Sequence, residues 1–336
     1  MRKLFQTICI VMIAGTMSCE HKELCYHHAH LATVRVEFDW RDAPDADPAG
    51  MCIWFYPVDS DEAPTRVDIV GKEGGYVTVT RGKYNIIAYN NDNETTYFNR
   101  CNDFSTLEVT SFSGGLFEPL GYSGYPASRG EPVTTCPEVM WICTSVDVKI
   151  SESGVSYICV PESEKEDYIG LPIERSELVI TLFPHDVVST YTFEIHGVEG
   201  REDIYQVSGS LSSMSPSLTL HDESQGEELV TLPFGVESDD FAAPMTGGFL
   251  TFGCNKDCHD SHSFLLYVWR TDGTRWYYNI DVTEQIRTAA NPRRIHMVIE
   301  CTMEPETFDF EEGSDVDIDG WNSEDHDLPM TGVTKG

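Results

Sequence analysis

Two clusters of side chains in this sequence have the residue types and spacing that can bind metal ions. The first runs from Cys254 to His262 and contains two thiols and two imidazoles, with Cys258 and His259 between its ends. These groups are soft-metal ligands, but the two-residue spacing between cysteines that is typical of structural zinc loops is missing. A disulfide between Cys254 and Cys258, or a pair of free thiols, is the interpretation that we favour for an exported protein.

The second cluster lies at residues 315–320, where three acids alternate with apolar residues before a glycine, as at the start of a calcium loop. The twelfth position of that loop is His326, whereas a calcium loop uses a glutamate that binds through both oxygens. The same alternation also fits a strand that turns Asp315, Asp317 and Asp319 toward water. We prefer the strand, and we expect no metal and no cofactor.

The first 18 residues have the features of an export signal. Arg2 and Lys3 precede an apolar run of about 12 residues, well short of the ~20 residues of a membrane-spanning helix. A cysteine at the cleavage point is the position that bacterial lipoprotein processing acylates. We therefore predict a signal peptide over 1–18, lipid attachment at Cys19 and a lipid-anchored tether over 19–32. Plain secretion and a chance cysteine are the alternatives.

The charge of the chain limits its partners. The 336 residues carry a net charge of -34, and loss of Arg2 and Lys3 with the signal makes it -36. Such a chain repels nucleic acid and anionic membrane surfaces, because it cannot release their counterions. We expect no nucleic-acid partner, and we expect contact with a membrane only through the lipid.

The cysteines do not form an obvious disulfide framework. Of eleven, Cys9 leaves with the signal and Cys19 carries the lipid, so nine stay in the mature chain. Because nine is odd, at least one thiol stays free or pairs between chains. Cys52 and Cys143 stand among apolar or aromatic residues, where a thiol can serve as a small core side chain. The pairing of the others stays open.

Short strands separated by turn residues predict an all-β fold. Residues 34–40 alternate apolar and charged side chains, whereas residues 51–57 are apolar on both faces. Asp272-Gly273 is the clearest hairpin turn, because this dipeptide accepts positive φ. Asp281 can cap a short helix over 282–289, which makes helix a minor element of the chain.

A polar stretch divides the strands into two groups. It runs over 151–175, and a new set of strands opens at residues 178–184. This organisation predicts an N-terminal β-sandwich over 33–160, a C-terminal β-sandwich over 170–303 and an acidic C-terminal segment over 304–336.

The sequence contains no phosphate-binding glycine loop, dinucleotide fingerprint, nucleophile elbow or zinc-binding helix motif, so we expect no catalysis. A binding surface is another option. The aromatic side chains of Phe117, Tyr122 and Tyr125 in the loop 113–126, and that of Trp276, could contact a ligand such as a sugar. The alternative is that these rings pack onto their own domain.

Several segments together resemble an uncharacterised family of Bacteroidetes lipoproteins, which in turn is similar to the fimbrillin-like and minor-fimbrium anchor proteins. The resemblance spans nearly the whole mature chain, whereas the extra cysteines and residues 254–262 depart from it. The segments that carry it are Cys19-Glu20-His21-Lys22-Glu23-Leu24-Cys25, Val36-Glu37-Phe38-Asp39-Trp40-Arg41 with Ala43-Pro44, Phe55-Tyr56-Pro57, Tyr89-Asn90-Asn91-Asp92, Phe249-Leu250-Thr251-Phe252-Gly253, Trp276-Tyr277-Tyr278 and Asp281-Val282-Thr283.

The resemblance implies two transthyretin-like β-sandwich domains in tandem. It also implies an outer-membrane, lipid-anchored protein of the cell surface that serves as a fimbrial anchor or adhesion component. Its partners would be fimbrial or other surface subunits, joined by strand addition, in which one subunit completes the sheet of its neighbour. Val316 and Ile318 would then lie in the domain's own last strand or in one donated to a partner. A surface glycan-binding lipoprotein is the alternative function.

Overall fold

The computed structural model describes residues 31–122, 131–150, 178–238, 243–255 and 259–308 as an all-β chain. No helix within these ranges is long and apolar enough to cross a membrane. The helical elements within the described ranges are α1 (Thr283–Arg287) and two 3₁₀ turns, Glu118–Leu120 and Arg201–Asp203. The strands are β1 (Leu31–Phe38), β2 (Gly50–Pro57), β3 (Thr65–Val70), β4 (Gly75–Thr80), β5 (Gly82–Asn90), β6 (Thr96–Asn99), β7 (Glu108–Ser111), β8 (Trp141–Ile150), β9 (Val179–Leu182), β10 (His185–Asp186), β11 (Ser189–His196), β12 (Ile204–Met214), β13 (Ser217–Thr219), β14 (Val230–Gly235), β15 (Met245–Thr251), β16 (Ser263–Arg270), β17 (Arg275–Asp281), β18 (Arg294–Glu300) and β19 (Glu306–Thr307).

The first sandwich encloses its core between two sheets. One has the strand order β4-β1-β9 and the other the order β10-β8-β5-β2-β3. Strand β1 turns Val34 and Val36 inward and Arg35 outward, because successive side chains of a strand point to opposite faces. The inward face of the other sheet supplies Phe55 and Ile86 to the same core. The alternation predicted for residues 34–40 thus becomes the wall of a sandwich.

The second sandwich repeats the arrangement of the first. Its three-stranded sheet has β11 at the centre, antiparallel to β15 and parallel to β18, and its five-stranded sheet has the order β14-β12-β16-β17-β19. Between them pack Phe193, Phe234 and Phe264, with ring centroids 5.1, 5.2 and 5.4 Å apart. The predicted fold class, an all-β chain with β-sandwich domains in tandem, is confirmed.

The hairpin predicted at Asp272-Gly273 joins β16 and β17, which pair antiparallel. Gly273 has a φ of 87°, where a side chain would be strained, and Asp272 Oδ1 accepts a hydrogen bond from the Thr274 backbone nitrogen at 2.9 Å. The helix that follows occupies only Thr283–Arg287, so it is shorter than the predicted 282–289.

Strands β9 and β10 correct one prediction. The sequence pattern placed residues 178–184 at the opening of the second sandwich, but β9 pairs in parallel with β1 and β10 pairs with β8. Ile180 and Leu182 thereby enter the core of the first sandwich. The alternation of apolar and polar residues shows which face of a strand is buried. It does not show which neighbouring strand pairs with that strand. The other limits of the two predicted domains stay predictions.

A third sheet connects the two sandwiches. It has the order β13-β7-β6, so that β7, from the first half of the chain, pairs with β13 of the second half. Beneath it lies a cluster that we call the junction core, in which Cys52 and Tyr89 of the first sandwich pack with Leu218 and Phe252. This packing explains why residues 51–57 are apolar on both faces: one face fills the sandwich and the other fills the junction core.

The pairing of β9 with β1 can be tested with two substitutions on one strand. Ile180→Ala should destabilise the protein by about 2–5 kcal/mol, because it empties part of the first core. Hydrogen exchange should become faster in residues 31–38 and stay unchanged in residues 245–251. The control is Thr181→Ala on the exposed face, with an effect within about 0.5 kcal/mol. Faster exchange in residues 245–251 instead would place β9 in the second sandwich.

Candidate functional site

Several predicted site residues lie outside the described part of the chain. These are the lipid attachment at Cys19, the aromatic side chain of Tyr125, the thiol of Cys258 and the three aspartates at 315, 317 and 319. Their roles stay predictions. Cys254 is described and half-buried. Because Cys258 lies outside the described residues, the disulfide between the two also stays a prediction.

The aromatic side chain of Phe117 is not available to a ligand. It is completely buried, with its ring centroid 5.1 Å from that of Tyr267, 4.9 Å from that of Trp269 and 5.9 Å from that of Phe308. The prediction of a ligand contact at Phe117 is therefore wrong. The loop that carries it folds back onto the five-stranded sheet of the second sandwich, because burying such a large ring is strongly favourable.

Two other predicted contact residues are partly covered by the protein itself. Tyr122 packs against the same aromatic cluster. The guanidinium carbon of Arg270 lies 4.1 Å from the ring centroid of Trp276, in a cation–π contact. Arg270 Nη2 is held there by Asp203 at 2.7 Å. A sugar therefore cannot stack on the face of Trp276 that Arg270 occupies.

The buried thiols act as core side chains. Cys52 and Cys143 are almost fully buried, and burial raises the pKa of Cys52 to about 11 and that of Cys143 to about 12. Both thiols stay protonated at neutral pH, and a protonated thiol is a poor nucleophile and a poor metal ligand. Neither forms a disulfide with another described residue. This agrees with the interpretation of both as small core residues.

Three sheet edges carry features that prevent further pairing. The open edge of β3 exposes the ion pair between Arg66 and Asp68, at 3.0 Å. In β8, Asp147 has a φ of 59° beside a shift in register, which marks a bulge. At β18, the side-chain amide of Gln285 donates to the carbonyl oxygen of Val298 at 2.9 Å and accepts from its backbone nitrogen at 2.8 Å. Charges, bulges and satisfied backbone groups all disfavour strand addition.

Strand β17 has less protection along its outer edge. Within the described residues, β19 pairs with it only through Trp276 with Thr307 and Tyr277 with Glu306. The described chain ends at Phe308, which is buried in the aromatic cluster around Phe117. Strand β19 and Phe308 thus fix the beginning of the acidic C-terminal segment to this edge of the second sandwich, and residues 309–336 follow. We call this region the exit edge.

A charged cluster joins the sandwiches on the other side of the junction. His185 in β10 of the first sandwich has its Nε2 2.6 Å from Glu223 Oε1, and Arg293 donates to the other oxygen of Glu223 and to the carbonyl oxygen of Asp186. Sequence reasoning missed this cluster, because His185 and Glu223 are 38 residues apart and Arg293 is a further 70 away. No local motif indicates it.

The cluster changes the protonation of its members. The hydrogen bond from His185 holds the pKa of Glu223 below its usual 4.5, and the same bond holds the pKa of His185 above its usual 6.5. Between these values, the carboxylate and the imidazolium are both charged in the folded protein. The attraction between the two sandwiches is then strongest.

Comparison with known proteins identifies the family. The sequence family described as Domain of unknown function (DUF5119) matches residues 18–235, which is more than half of the chain. The chain belongs to this family. A protein of Bacteroides ovatus named "Putative fimbrium anchoring subunit Fim4B" is 22% identical over 342 residues, which cover 96% of each chain. The predicted resemblance to fimbrium anchor proteins is thus confirmed.

This DUF5119 member also resembles solved structures. A crystal structure described as a "putative adhesin" of Bacteroides ovatus superposes with a TM-score of 0.58 at 20% identity, covering 82% of this chain and 94% of that one. A second, described as a polysaccharide binding protein of Bacteroides thetaiotaomicron, has a TM-score of 0.49 at 12% identity and covers 80% and 90%. The first similarity shows a shared fold, and at such low identity it does not extend to function.

The charged cluster predicts a window of pH in which it stabilises the protein. The contribution of Glu223 is present above pH 4.5 and is lost as the pH falls through its lowered pKa. The contribution of His185 is present below pH 6.5 and is lost as the pH rises through its raised pKa. Glu223→Gln should therefore lower the unfolding temperature more at pH 5.5 than at pH 8.5.

The effect should amount to no more than about 1 kcal/mol, since both groups are partly exposed to solvent. Thermal unfolding followed by circular dichroism at the two pH values measures it. Glu194→Gln is the matched control, because Glu194 pairs with His196 at 3.2 Å within one strand and joins no second domain. Equal losses at both pH values for Glu223→Gln would contradict the assignment.

Proposed function

We propose that this protein is a non-catalytic lipoprotein of the outer membrane that anchors a fimbrium, or a related adhesive fibre, at the cell surface. The observation that carries the proposal is the similarity to the fimbrium anchoring subunit named above, which extends over 96% of both chains. The tandem sandwiches, with their junction core, provide a rigid unit of the kind that a base subunit requires.

The length of the tether supports a position at the base of a fibre. Strand β1 begins at Leu31, so eleven residues separate it from Cys19. A chain of that length spans at most about 40 Å even when it is fully extended. A lipid on Cys19 would therefore hold the first sandwich close to the membrane.

The lipid anchor can be tested with two cysteine substitutions in the same segment. Cys19→Ala should move the protein from the membrane fraction to the soluble fraction of the cell, because the lipid-bearing thiol is lost. Cys25→Ala is the control and should stay with the membrane. Fractionation, metabolic labelling with a fatty-acid analogue and protease shaving of intact cells provide the readouts. Membrane association of Cys19→Ala at the level of the unaltered protein would rule out the anchor.

The exit edge supports assembly by strand addition. Within the described residues β19 covers only Trp276 and Tyr277 of β17, and the alternating Val316 and Ile318 follow later in the sequence. A strand with one apolar face can enter the open sheet of a neighbouring subunit, with the backbone supplying affinity and alternate side chains supplying specificity. We propose that the C-terminal segment is donated to a fimbrial subunit.

Deletion of residues 309–336 tests this assignment. The unfolding temperature should change little, whereas co-purification with fimbrial subunits should be lost. Loss of stability instead would show that the segment is the domain's own last strand. In the full chain, Val316→Lys with Ile318→Lys should also abolish the association. Asp315→Asn with Asp317→Asn changes the opposite face of the same strand and should preserve it.

A further inference from the structure

A cavity of about 570 Å³ lies beside the charged cluster, between the three-stranded sheet of the second sandwich, the turn after β13 and helix α1. Its volume falls within the ~300–1,000 Å³ that is typical of small-molecule sites. None of the predicted aromatic contacts lines it. Its lining contains two buried polar rings, four charged side chains and an apolar wall, together with further polar groups from Ser189, Gln225, Cys254, Asn255 and His259.

The first polar ring is Tyr191 in β11. This side chain is only 1% exposed and lines the cavity, and its hydroxyl forms no hydrogen bond with another described residue. A hydroxyl on a side chain that lines a cavity can form a hydrogen bond with a molecule that fills the cavity. Burial also raises the pKa of Tyr191, so the hydroxyl is neutral and can both donate and accept. A molecule bound in the cavity can therefore provide a hydrogen-bond partner for this hydroxyl.

The second polar ring is His262, which is also 1% exposed. Its Nδ1 lies 3.2 Å from the carbonyl oxygen of Ser212, and its backbone nitrogen donates to Thr283 Oγ1 at 2.7 Å. A carbonyl accepts only, so Nδ1 carries the proton and Nε2 presents a lone pair. Burial lowers the pKa of His262, which keeps the ring neutral. No described residue donates to Nε2.

The cavity is lined by equal numbers of positive and negative side chains. Two arginines and two acids line it. Arg293 pairs with Glu223, Arg287 donates to the carbonyl oxygen of Asp260 at 2.9 Å, and Asp222 accepts from Ser224 Oγ at 2.7 Å. The cavity therefore has no excess charge with which to attract an ion. The Nε2 lone pair of His262 also repels the oxygens of a carboxylate or a phosphate.

These observations define the ligand class. Nε2 of His262 can accept a hydrogen bond, and the hydroxyl of Tyr191 can donate or accept one. Neighbouring hydroxyl groups on a single molecule can supply both partners. Ile286, Pro292 and Ile295 provide an apolar wall for a surface of C–H bonds. We propose that this cavity binds one neutral sugar residue in its pyranose form, with one hydroxyl on His262 and another on Tyr191.

The test uses the full mature chain carrying Cys19→Ala, titrated by calorimetry with D-glucose, D-galactose, D-mannose and N-acetyl-D-glucosamine. At least one should bind saturably, and D-glucuronate, an anionic analogue, should bind more weakly. Tyr191→Phe removes only the hydroxyl and should weaken binding by about threefold to tenfold. Its unfolding temperature should not fall, because that hydroxyl forms no hydrogen bond with another described residue.

Tyr267→Phe is the matched control. Tyr267 is equally buried, but its hydroxyl lies 3.2 Å from Ser210 Oγ and outside the cavity. It should lose stability and keep its sugar affinity. The proposal is overturned if none of the four sugars binds at 20 mM, or if Tyr191→Phe binds as tightly as the unaltered chain. Tighter binding of glucuronate, or stoichiometric Zn²⁺ in place of sugar, would also overturn it.

Discussion

The packing of β2 and β5 on both of their faces holds this molecule together. One face of β2 contributes Phe55 to the core of the first sandwich, while Cys52 on the opposite face enters the junction core beside Leu218 and Phe252. A strand with two apolar faces is costly to leave exposed, so the second sandwich, with the turn that carries β13, has to cover it. The bridging sheet of β13, β7 and β6 forms as a result.

The junction determines which surfaces remain for partners. The loop that carries Phe117 packs against the second sandwich and buries that ring. The aromatic cluster thereby covers the outer face of the five-stranded sheet. Three of the sheet edges are protected against strand addition. The protecting features are the charges on β3, the bulge in β8 and the amide of Gln285 on β18. The exit edge is different, since only two residue pairs cover β17 within the part of the chain that the structure describes. An anchoring role and a donated strand are compatible with that geometry.

The charged cluster and the cavity are both products of the same junction. His185 comes from the first sandwich and Glu223 from the second, so their pairing depends on the two domains being held together by the junction core. Arg293 pairs with Glu223 and lines the cavity at the same time. A molecule bound in that cavity would therefore contact the charges that join the domains.

The sequence by itself determined the fold class, because a period of two, turn dipeptides such as Asp272-Gly273 and the two-faced strand at residues 51–57 are local consequences of burial. It also predicted the resemblance to fimbrium anchors from short segments. Only the tertiary structure decided which strand pairs with β9 and where Phe117 packs. It also decided which polar groups lie close to Glu223, Tyr191 and His262. These outcomes depend on pairings across 38 to 70 residues or more. Local patterns record only whether a side chain is buried, whereas the fold decides which residue lies against it.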